Sequence, residues 1–63
     1  MDYFICQGTM RKLISVLTLI DDMGIRAQGV SIDRILDKYK LYVLMTKSDL
    51  LKIRDAVSIM EGF

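Results

Sequence analysis

With 63 residues, and 9 Lys and Arg against 8 Asp and Glu, the chain has room for one small domain (residues 1–63) and no charge excess with which to grip a nucleic-acid backbone. An apolar share of 52% is high for a domain that buries only about 60% of its unfolded surface, so apolar side chains should remain for a partner, most simply a second copy. There is no histidine and one cysteine, Cys6, which excludes the usual zinc sites and an internal disulfide and points to a reducing, cytoplasmic setting.

In chain order, the apolar stretch at residues 2–6 reads as a short strand that ends before Gln7 and Gly8. A helix follows over 9–23. Met10, Leu13, Ile14, Val16, Leu17, Leu19, Ile20 and Met23 leave only a narrow polar stripe through Arg11, Ser15, Thr18 and Asp22, so about two-thirds of this helix should be buried. Thr9 suits its N-cap and Gly24 the left-handed position beyond its end. Its charges oppose the helix dipole, with Arg11 and Lys12 in the first turn and Asp21 and Asp22 in the last. The plain reading is compensation by neighbouring groups or solvent; the sharper one is that Arg11 and Lys12 bind an anion or an acidic partner.

Ser31 starts a second expected helix over 31–39, with Ile32, Ile35, Leu36 and Tyr39 at helical spacing, Asp33 near its start and Lys38 near its end. The unbroken apolar run of residues 41–45 suits a buried strand and also suits more helix; we read it as a strand whose partner is 2–6. The last helix, 47–61, opens on Thr46 and Asp49 in the manner of a capping box, repeats Leu50, Ile53, Val57 and Met60, and stops at Gly62. The expected fold is therefore a mainly α, three-helix domain with a possible short two-stranded β element, dimeric.

Little in this sequence suggests catalysis. Asp33 and Asp37 would lie one turn apart on the second helix, yet Arg34 and Lys38 interleave with them as on an ordinary solvated surface. Cys6 lies in an apolar stretch, where a thiol packs rather than reacts, and the glycines at 8, 24, 29 and 62 form no phosphate-binding loop. No cofactor or metal is expected. The longest uncharged runs, residues 3–10 and 13–20, fall short of the roughly 18 residues that cross a bilayer as a helix.

What remains is a small non-enzymatic protein-interaction module, a regulator, inhibitor or adaptor acting by binding another protein as a homodimer, a role that bacteria and bacteriophages often give to domains of this size. Its expected interface is Phe4, Leu41, Tyr42, Leu44 and Met45, because an apolar run rich in tyrosine and methionine is what interface cores favour. Phe63 is either an extension of that patch or a plug of the core. Two alternatives stand beside this reading. One is a helix-turn-helix DNA-binding regulator that uses the basic residues of the second half; nucleic acid is possible but not favoured, since five acidic groups lie among them. The other is a small structural subunit of a larger complex.

Overall fold

The computed structural model describes residues 1–61, so the expected stop at Gly62 and the side chain of Phe63 lie outside the described residues. Five elements follow one another: β1 (Asp2–Gly8), α1 (Met10–Asp22), β2 (Gly29–Ile35), β3 (Lys38–Met45) and α2 (Lys47–Glu61). The strands form one antiparallel sheet in the order β1-β3-β2. This is an α+β fold, and it corrects the expected mainly α, three-helix domain.

The correction lies at residues 31–39. The helix expected there is instead β2, a two-residue turn at Leu36 and Asp37, and the start of β3. Ile32, Ile35, Leu36 and Tyr39 have helical spacing, but β2 and β3 pair residue for residue from Gly29↔Leu44 to Ile35↔Lys38. Branched residues at 30, 32 and 35 favour that pleated arrangement. Asp33 and Asp37 consequently share no helix face: Asp33 stands opposite Lys40 within the sheet, and Asp37 lies in the turn.

The strands expected at 2–6 and 41–45 are present, longer at one end each, and pair antiparallel from Asp2↔Met45 to Gly8↔Tyr39. Both helices lie on one face of the sheet. α1 rests on β1 and β3, while α2 rests chiefly on β1. The core between the layers holds Phe4 and Cys6 from β1, Leu13, Val16 and Ile20 from α1, Leu41, Val43 and Met45 from β3, and Ile53 and Val57 from α2.

Local signals place the helix ends. The Lys12 amide donates to the Thr9 Oγ1 at 3.2 Å, and the Asp49 amide donates to the Thr46 Oγ1 at 3.2 Å. Past the C-terminus of α1, the Gly24 amide donates to the Asp21 carbonyl at 3.0 Å and the Ile25 amide to the Ile20 carbonyl at 3.1 Å. With Gly24 at φ 70 and both Ile20 and Ile25 buried, this is a complete Schellman motif with its apolar clasp. α1 is less buried than its composition implies: Leu13, Val16 and Ile20 are buried, but Ile14 and Met23 are exposed. A single sheet face offers a helix one contact stripe, not two.

Candidate functional site

Side chains on a strand alternate between faces, and β3 separates the expected interface set accordingly. Leu41, Val43 and Met45 are 0% exposed beneath the helices. Tyr42 and Leu44 point to the opposite face and are half-buried. Phe4 on β1 belongs to the core with Leu41 and Met45. Of the five residues expected at an interface, the fold thus presents Tyr42 and Leu44 on a surface and encloses Phe4, Leu41 and Met45.

The surface that carries Tyr42 and Leu44 is the sheet face with no helix on it. Register brings Tyr3 opposite Leu44 and Ile5 opposite Tyr42, and these four make an apolar half-face. Tyr3 and Ile5 are 59% and 52% exposed. The Tyr3 and Tyr42 rings meet edge to face at 6.4 Å between centroids, and the Lys40 ammonium sits over the Tyr42 ring at 5.5 Å. The other half of the face is polar, with Gln7 and Asp33 flanking Lys40 on the neighbouring strands. Tyr3 and Ile5 were not singled out from the sequence, although alternation along β1 from the buried Phe4 would have located both.

The second surface is an edge. No described strand pairs outside β1, and between its outer side and α2 runs a groove of ≈ 290 Å³ lined by Phe4, Gln7, Lys12, Arg54, Val57 and Ser58, among others. It continues toward Tyr3 and Leu50, again past Arg54. Lys12 therefore stands at this groove, whereas Arg11 is exposed on α1 beside it in sequence, so the two are not brought together on one surface feature.

Other regions offer less chemistry. Among the described residues no three metal-ligating side chains converge, and Cys6 is buried with no disulfide. No buried side-chain nitrogen or oxygen among them lacks a hydrogen-bond partner. No helix among the described residues is long and apolar enough to cross a membrane. The helix-turn-helix arrangement is not formed, because two strands separate α1 from α2. In comparison with known proteins, no family model, no curated protein and no solved structure matches the chain.

Proposed function

We propose that this chain is a small non-enzymatic interaction module that acts by binding another protein, as a homodimer in which the uncovered sheet faces of two copies pack together. The observation that carries the reading is the contiguous row of Tyr3, Ile5, Tyr42 and Leu44 on a face that no helix covers. Two open sheets of this kind pack about 10 Å apart and bury such a row from both sides. One patch then serves both copies, as two-fold symmetry requires. Light scattering after size exclusion over a dilution series tests it. A mass near twice 7.2 kDa that falls to the monomer in the Leu44→Asp variant supports the proposal; a wild-type monomer at every concentration refutes it.

One observation favours a second reading. Two tyrosines on adjacent strands of an open sheet, with a lysine over one ring, form a surface on which unpaired bases stack. This replaces the helix-turn-helix alternative with a sheet platform. Fluorescence anisotropy of labelled oligo(dT) at low salt distinguishes the two, since bases stacked on this face would be released by Tyr42→Ala and by added salt.

A further inference from the structure

We propose that the groove outside β1 receives an extended segment of a partner protein, alternately apolar and acidic, as an added strand. The inference rests on the reading of this chain as a protein-binding module, but it uses the sheet edge and leaves the open face untouched.

The first support is topological. The order β1-α1-β2-β3-α2 with β3 between β1 and β2 is a split βαβ arrangement, in which a further strand fits outside β1. α2 rests chiefly on β1 and only sparingly on the rest of the sheet, so it stands over the outer side of that strand. A second copy pairing edge to edge at β1 would bring its own α2 into the same space. A lone extended segment would not, which is why the occupant is a strand and not another whole domain.

The second support is the edge itself. β1 runs seven residues, about 24 Å at strand rise, and its ladder with β3 has no bulge from Asp2 to Gly8. It contains no proline and no lysine, and its one charged residue, Asp2, stands at its very start, so the devices that usually protect edges from added strands are absent along its length. β2, the opposite edge, carries Asp33 and Arg34 and ends in a turn with a positive φ at Leu36.

The third support is charge. Arg54 stands along the groove and its continuation, with Lys12 at one end, and among the described residues no Asp or Glu lines either stretch. Asp55 lines neither stretch and lies on the adjoining shelf, which Arg54 shares with Leu51 and Ser58. Leu50 and Val57 supply the apolar wall. A strand entering here would turn alternate side chains toward that wall, with acidic residues placed to meet Arg54.

The test is a selection of displayed seven-residue peptides on the full chain, followed by nuclear magnetic resonance mapping of the enriched peptides. The expected peptides alternate apolar and acidic residues, lack central proline, shift the amides of Phe4, Ile5 and Gln7, and bind at least ten-fold more weakly to Arg54→Glu. No enrichment, enrichment of basic peptides, or shifts confined to Tyr42 and Leu44 would overturn the proposal. Leu44→Asp separates it from the reading on which it rests. Peptides that still bind this variant at β1 while self-association is lost support both ideas, and self-association that depends on Leu44 without any peptide at β1 leaves only the open-face module.

Discussion

Tyr3 and Tyr42 meet edge to face at an interplanar angle of 88° on neighbouring strands of the uncovered sheet face. They are diagonal neighbours, since the residue directly opposite Tyr3 is Leu44, and long aromatic side chains reach across such diagonals. The same contact that organises the open face also ties β1 to β3. It therefore contributes to the stability of the sheet.

A double-mutant cycle with Tyr3→Leu and Tyr42→Leu isolates this term. Aromatic pairs contribute about 0.5–1.5 kcal/mol beyond their burial, so urea denaturation should return a coupling energy in that range. The loss of the Lys40 contact with Tyr42 occurs in both arms with Tyr42→Leu and cancels. A coupling indistinguishable from zero would mean that the rings do not hold this geometry in solution.

Leu41 and Leu44, three residues apart on β3, should respond in opposite ways. Leu41→Ala empties a fully buried position and should cost about 2–5 kcal/mol. Leu44→Asp, on the open face, should cost about 1 kcal/mol and retain the far-ultraviolet circular dichroism of the parent. Equal losses in the two variants would place both side chains in the core.

Leu36 holds φ 58 at the first position of the β2–β3 turn and is 88% exposed. A left-handed conformation costs a residue with a Cβ about 1–2 kcal/mol, and glycine avoids it. Leu36→Gly should thus stabilise the domain by about 1 kcal/mol, seen as a rise in thermal midpoint of roughly 4–8 °C. A lower midpoint would show that this leucine contributes more to the turn than its exposed side chain suggests.

Gly24 is the mirror case, a left-handed position already held by glycine, with open space around its missing Cβ. Gly24→Ala should destabilise by about 1–2 kcal/mol through backbone conformation alone. Gly29, which has negative φ and whose added Cβ would make only an ordinary contact at 3.9 Å with Leu44, should accept alanine with a much smaller change. Thermal denaturation of the two variants side by side checks the contrast.

The two long helices were legible because their signals are local: hydroxyl caps at Thr9 and Thr46 bond amides three residues away, and the Gly24 clasp closes within the turn it ends. The strands at 2–6 and 41–45 were read as such as well, although the apolar run of 41–45 suited more helix equally. What tertiary structure alone decided is the state of residues 29–39 and the direction in which 41–45 faces. β2 is exposed along its whole length, so no burial contrast marked its period of two, and only the ladder with β3 makes it a strand. In 41–45 every side chain is apolar, so the sequence carries no alternation. Placing both helices on one side of the sheet sends Leu41, Val43 and Met45 inward and leaves Tyr42 and Leu44 for the open face.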